Sequence, residues 1–220
     1  MSSPRLNLIV LGKQGAGKGT QSAVLSEKFG IPHVSTGDIL RSAVKAGNEL
    51  GKKVASILEA GDLVSDDVVN QLVEERFQHA DAQRGVLLDG FPRTIGQAEA
   101  LEGMLGEDGI KLCINLDVPI ELVTQRLSSR RVCQECGTTY KDTDIEAISG
   151  TCSNCGGDVI QRTDDYPEAI RTRLMNYERD TEPLLSFYGS RGLLVTVDGD
   201  QGPDEVTDEI MKAVHERGLV

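Results

Sequence analysis

Residues 12–20, GKQGAGKGT, constrain this chain more than any other stretch. They follow a β-branched and leucine-rich run, residues 6–11 (LNLIVL), and lead into residues 17–29, where Val24, Leu25 and Phe29 fall at helical spacing and Gly30 supplies a stop. A strand, a glycine-rich turn and a helix in that order make a cradle for phosphate. Glycines at 12, 15, 17 and 19 admit positive φ and let successive N–H groups turn inward, the helix start adds its dipole, and Lys18 supplies a point charge. The loop departs from the strict G-x-x-x-x-G-K-[S/T] pattern, because Gly19 occupies the hydroxyl position and Thr20 follows it.

Similar apolar runs recur at residues 85–89 (GVLLD), 111–118 (KLCINLDV) and 192–198 (GLLVTVD), each followed by a helical pattern. That alternation predicts an α/β fold with a parallel sheet. Two stretches break the rhythm. Residues 33–64 give short helical segments punctuated by Gly37, Gly47, Gly51 and Gly61, which predicts a small helical subdomain. Between residues 131 and 164 the hydrophobic period vanishes, so this insertion is held by something other than an apolar core. Its flanks, residues 120–130 and 167–188, read as helices.

Four of the five cysteines form two pairs, Cys133-x2-Cys136 and Cys152-x2-Cys155, separated by fifteen residues. That is four-cysteine zinc spacing, and Gly137 and Gly156 follow each pair as knuckle turns favour. Four thiolates leave no open coordination position, which predicts a structural Zn2+ in place of the missing core. Iron or another soft metal, or two disulfides, are the competing readings. Cys113 stands alone in a strand-like run and reads as a buried apolar residue.

A net charge of −12 repels phosphodiester backbones and anionic membrane surfaces, and four Phe, four Tyr and no Trp offer little for stacking bases. The expectation is therefore no nucleic acid and no membrane as partners. No run approaches the ~18 apolar residues of a membrane span, and the chain starts without an apolar leader, so the expected location is cytoplasmic. Against this acidic background, seven of the fourteen arginines fall within residues 126–179. Arg126 and Arg130, four apart, are expected to share one helix face as a phosphate clamp. Arg171 and Arg173 cannot both face one site.

GAGKGTQ (residues 15–21), STGD (35–38), LLDGFPRT (87–94), RR (130–131) and DGD (198–200), in this order and separation, closely resemble the bacterial adenylate kinases, and the similarity spans essentially the whole chain. One departure is Gln14, where family members usually carry Pro. The resemblance implies a P-loop NTPase fold, with a five-stranded parallel sheet flanked by helices. It also implies a core of residues 1–34, 65–130 and 164–220, a helical AMP-binding insertion (35–64) and a zinc-stabilised lid (131–163). The implied activity is reversible, Mg2+-dependent phosphoryl transfer from ATP to AMP giving two ADP, in adenine nucleotide homeostasis, by a monomer. A UMP/CMP kinase, or a zinc-ribbon nucleic-acid module on an NTPase, are the alternatives. Thr36 argues against the former, since pyrimidine-specific relatives tend to have a smaller residue there.

By the same resemblance, Lys18, Arg93, Arg130, Arg162 and Arg173 serve the transferring phosphoryl group, and Asp89 holds Mg2+, through water. ATP falls to Gly15, Ala16, Gly17, Lys18, Gly19, Thr20, Arg126, Arg130, Thr139, Tyr140 and the backbone of Gln201. AMP falls to Thr36 and Gln97 for the base, Arg41 and Arg93 for the α-phosphate, and Gly61, Asp62, Leu63, Val64, Gly90, Phe91, Pro92, Arg162 and Arg173. The acceptor phosphate has a second pKa of about 6, so its oxygen is already anionic at neutral pH and no general base is needed. His33, His79 and His215 lie outside every motif and read as surface or capping residues.

Overall fold

Alternate residues of the first apolar run end in two different cores, as expected of a parallel strand covered on both faces. In the computed structural model, which describes residues 5–219, Ile9 and Leu11 join one buried cluster and Leu8 and Val10 the other. Residues 1–4 and 220 of the predicted core segment lie outside the described residues.

In chain order the elements are β1 (Leu6–Gly12), α1 (Lys18–Phe29), β2 (His33–Ser35), α2 (Thr36–Ala46), α3 (Glu49–Ala60), α4 (Asp66–Phe77), β3 (Gly85–Asp89), α5 (Ile95–Leu105), β4 (Leu112–Asp117) and α6 (Ile120–Ser129). The inserted segment follows as β5 (Arg130–Cys133), β6 (Thr139–Lys141), α7 (Ile145–Ser149) and β7 (Val159–Ile160). The chain closes with α8 (Pro167–Asn176), α9 (Pro183–Gly189), β8 (Leu194–Asp198) and α10 (Pro203–Glu216).

Five strands form a parallel sheet in the order β2-β3-β1-β4-β8. Helices α4, α5 and α9 cover one face through Val69, Val73, Ala98, Leu101, Leu184 and Tyr188. The other is covered by α1, α6 and α10 through Leu25, Val123, Val206, Ile210 and Val214. Strand order reverses around β1, so its carboxyl end opens a crevice between diverging connections, where open α/β sheets bind ligands. The phosphate loop lies there.

The predicted helical subdomain contains α2 and α3, packed so closely that any side chain at Gly51 would overlap the Ala43 carbonyl. Its first residues are not helical. His33, Val34 and Ser35 pair with β3 and belong to the core sheet, a strand absent from the sequence reading because three residues are too short for a periodicity. The insertion is a three-stranded antiparallel sheet, β6-β5-β7, with a small buried cluster of Cys133, Cys152 and Val159 and with Tyr140 and Ala147 beside them. The predicted helix over 167–188 is one path broken by a π turn at Tyr177–Thr181. That turn reaches the site: Thr181 donates to the Arg93 carbonyl at 2.9 Å, and Asn176, just before it, donates to the Gly61 carbonyl at 3.3 Å.

Candidate active site

Gly12, Gly15 and Gly17 take φ of 136°, 84° and 97°, a region closed to other residues without strain. This curls the loop around Lys18, whose Nζ donates to the carbonyls of Gly12 (2.7 Å) and Lys13 (3.0 Å). Gly19 corrects the sequence expectation: it is not among the positive-φ glycines and sits in the first turn of α1, where its missing side chain faces Asp89. Thr20 is exposed on the same turn. Gln14 carries a buried Oε1 with no hydrogen-bond partner among the described residues.

Burial lowers the Lys18 pKa to about 8; Asp89 opposes this, while Arg93, Arg173 and Arg130 add to it. The same four groups therefore crowd the lysine. Arg93 is lowered to about 10 by burial and by Arg173, and stays charged at neutral pH. Its Nε donates to the Gly90 carbonyl at 2.8 Å. Arg162 is lowered to about 10 by burial, with Arg41 and Arg130 also pressing on it. Carboxylates lie among these guanidiniums. Arg130 grips Asp165 through two bonds of 2.7 and 2.6 Å, and Arg173 reaches Asp165 at 3.0 Å and Asp164 at 3.2 Å. Burial opposes ionisation of Asp164, yet Arg173, Arg41, Arg162 and Arg130 together hold its carboxyl below the ordinary range.

Two expectations about these residues change. Arg130 does not continue the helix of Arg126: it has ψ of 134°, opens β5, and points to Asp165, while Arg126 donates to the Gly199 carbonyl at 3.1 Å. They share no helix face. No sequence motif marks Asp164 and Asp165; the signal for them in the sequence is seven clustered arginines that need counter-charges. His33 lies outside every sequence motif, yet its Nε2 is 3.3 Å from Asp89 Oδ2, since β2 lays it beside the end of β3. Arg171 is exposed, on a different side of α8 from Arg173, whose side chain is only 12% exposed.

A second cavity opens next to this cluster, lined by Thr36, Arg41, Gly61, Asp62, Leu63, Val64, Gly90, Arg93, Gln97 and Arg173, together with Leu40, Leu58, Val69 and Asp164. Thr36 is not the cap of α2; Ser35 is, and buried Thr36 donates to the Gly90 carbonyl at 2.8 Å. Gln97 is held at both ends of its amide, accepting from the Arg93 N–H and donating to Asp66, each at 2.7 Å. Asp66, which also accepts from Thr94, is a positioning group that the sequence did not suggest. Phe91 and Pro92 are buried, Phe91 in the main core, and are not among the residues that line the cavity. On the opposite side of the phosphate loop, Arg126 meets the turn 199–201, where Gln201 donates to the Asp198 carbonyl and to Glu209. Thr139 is exposed on β6, and Tyr140 turns its hydroxyl to Cys152.

The four sulfurs of Cys133, Cys136, Cys152 and Cys155 lie within 4.8 Å of one another, with Cys133–Cys155 at 3.4 Å and Cys136–Cys152 at 3.6 Å. A tetrahedral Zn2+ with bonds near 2.3 Å sets its sulfurs about 3.8 Å apart, so the cluster fits that ion. Gly137 and Gly156 both take φ of 75°, turning each knuckle. Thr138 holds the Cys136 thiol down at about 5. Cys113 is fully buried in β4, and burial pushes its thiol up.

A parallel sheet with a glycine-rich loop at its switch point, and an arginine-lined cavity next to the arginine cluster, are the architecture of a P-loop phosphotransferase. A sequence-family model described as adenylate kinase matches residues 10–193. Curated relatives agree over nearly their whole length. The chain is 47% identical to an adenylate kinase of Kosmotoga olearia, covering 94% of this chain and 98% of the relative. It is 46% identical to one of Caldicellulosiruptor saccharolyticus (95% and 99%) and 47% identical to one of Symbiobacterium thermophilum (95% and 98%). The chain belongs to the adenylate kinase family. No helix among the described residues is long and apolar enough to cross a membrane.

Proposed function

We propose that this enzyme transfers the terminal phosphoryl group of ATP to AMP, reversibly, giving two ADP. The observation that carries the reading is that Lys18 of the phosphate loop feels the charges of Arg93, Arg173 and Arg130, two of which, Arg93 and Arg173, also line the second cavity. ATP lies along residues 15–20, with its base between Arg126 and the 199–201 turn and near Thr139 and Tyr140. AMP enters the second cavity, its base against Thr36 and Gln97 and its α-phosphate on Arg41 and Arg93. Arg162 joins Arg130 and Arg173 around the transferring group. These residues align two anions in line and neutralise the charge that would keep them apart, which is most of what phosphoryl transfer requires.

Asp89, beside Lys18, is the carboxylate suited to Mg2+, which supplies further charge neutralisation between the phosphates when bound with ATP. Residues 35–64 and 131–163 act as flaps that close on AMP and ATP and exclude the water that would otherwise take the phosphoryl group, while the rest of the chain forms the fixed core. The cysteine cluster holds one structural Zn2+ per chain. The protein works as a cytoplasmic monomer, away from nucleic acid and membranes.

A coupled assay offering ATP with AMP, CMP, UMP or GMP tests the specificity: AMP is preferred, and a clear preference for another acceptor overturns that part. Elemental analysis of purified protein gives one zinc per chain; none, with four freely titratable thiols, removes the metal.

A further inference from the structure

A Zn2+ held by four thiolates carries a net charge of −2. Donors that point at the sulfurs offset that excess. Two side-chain hydroxyls do so, one for each cysteine pair. Thr138 Oγ1 is 3.1 Å from Cys136 Sγ, and Tyr140 OH is 3.1 Å from Cys152 Sγ. Metal-bound sulfur has no proton to give, so both hydroxyls must donate. Ser153 Oγ, 3.3 Å from the Tyr140 oxygen, can donate to it and leave the phenol proton for the sulfur.

Position makes Tyr140 the more consequential of the two. It stands on β6 opposite Arg131 of β5, so its hydroxyl ties the strand pair of the first knuckle to the second knuckle, across a subdomain with almost no apolar core.

We propose that Tyr140 and Thr138 are the outer hydroxyl donors of the metal centre, and that the Tyr140 phenol governs how firmly the lid retains its ion. This rests on the zinc reading above. Outer-shell donors of this kind are worth roughly 10–100-fold in metal affinity. The test uses the full-length zinc-loaded enzyme and its Tyr140→Phe and Thr138→Val variants, with zinc release to a chromogenic chelator followed in time. A second readout is the sulfur-to-metal charge-transfer band after replacement by Co2+. Tyr140→Phe keeps the ring and its packing, so it isolates the hydroxyl. Expected are release about 10–100-fold faster and a charge-transfer band moved to lower energy, because the thiolate has lost a donor. Thr138→Val shifts the same two readouts through Cys136, and carries the test if the tyrosine variant does not fold. A zinc-loaded wild type whose variants release metal at its own rate, with unmoved bands, overturns this proposal and leaves the zinc reading intact. A wild type that takes up neither zinc nor cobalt overturns both.

Discussion

Replacing Asp165 by Ala strips the counter-charge from two guanidiniums at once. The Asp165 side chain is fully buried, and Arg130 and Arg173 expose only 17% and 12% of theirs, so water cannot replace the lost carboxylate freely. Breaking a buried pair by removing one partner costs about 3–5 kcal/mol, and the partial exposure of both arginines favours about 3. For a chain of 220 residues, at roughly 2–4 °C per kcal/mol, the midpoint of thermal unfolding falls by about 6–12 °C. Circular dichroism melts of Asp165→Ala, Arg130→Ala and the double variant read this directly. The two bonds of 2.7 and 2.6 Å make the pair non-additive, so the double variant is less damaged than the sum of the singles by about 0.5–3 kcal/mol. Strict additivity, or a melting change under about 2 °C for Asp165→Ala, would show that the carboxylate does not anchor the arginine cluster.

Lys18→Ala leaves the loop its amides but removes the charge they surround; kcat falls by about 10²–10³-fold in the coupled assay, and near-normal turnover removes Lys18 from phosphoryl transfer. Because burial lowers the Lys18 pKa to about 8 in the nucleotide-free site, the amine is partly neutral at that pH, and a polyphosphate restores its charge. Binding of ATP is therefore expected to take up about half a proton near pH 8 and almost none near pH 6.5, measured by calorimetry in buffers of different ionisation enthalpy. Equal uptake at both pH values contradicts the lowered pKa. Lys45 reaches from α2 to Glu135 at 2.8 Å and to the Gln134 carbonyl at 3.3 Å, both in the first knuckle. The two charged side chains are each 59% exposed, so the contact is worth only about 0.2–1 kcal/mol. Lys45→Ala shifts the open–closed balance seen by single-molecule fluorescence by less than about fivefold, and less still at high salt; a shift above tenfold means the latch is stronger than an exposed pair allows.

What could be read ahead of the structure separates from what could not along a physical line. The phosphate loop, the cysteine knuckles and strands β1, β3, β4 and β8 were legible because each is a demand made by neighbours in sequence: positive φ at Gly12, Gly15 and Gly17, a two-residue gap between ligands, an apolar run covered on both faces. The failures are places where a distant group decides. Arg130 is four residues after Arg126, and a helix would align them, but Asp165 draws its side chain elsewhere as β5 begins. His33 acquires its neighbour only because β2 pairs with β3. Gly19 looks like a turn residue by composition and is helical in fact. The chain has 35 acidic side chains, and local pattern ranks none of them as a partner for the arginines; packing chooses Asp164 and Asp165 by burying them where α8 brings Arg173 within reach. Part of the chain's acidity is thus spent inside the molecule, where two buried carboxylates offset the charge of the guanidiniums packed against them.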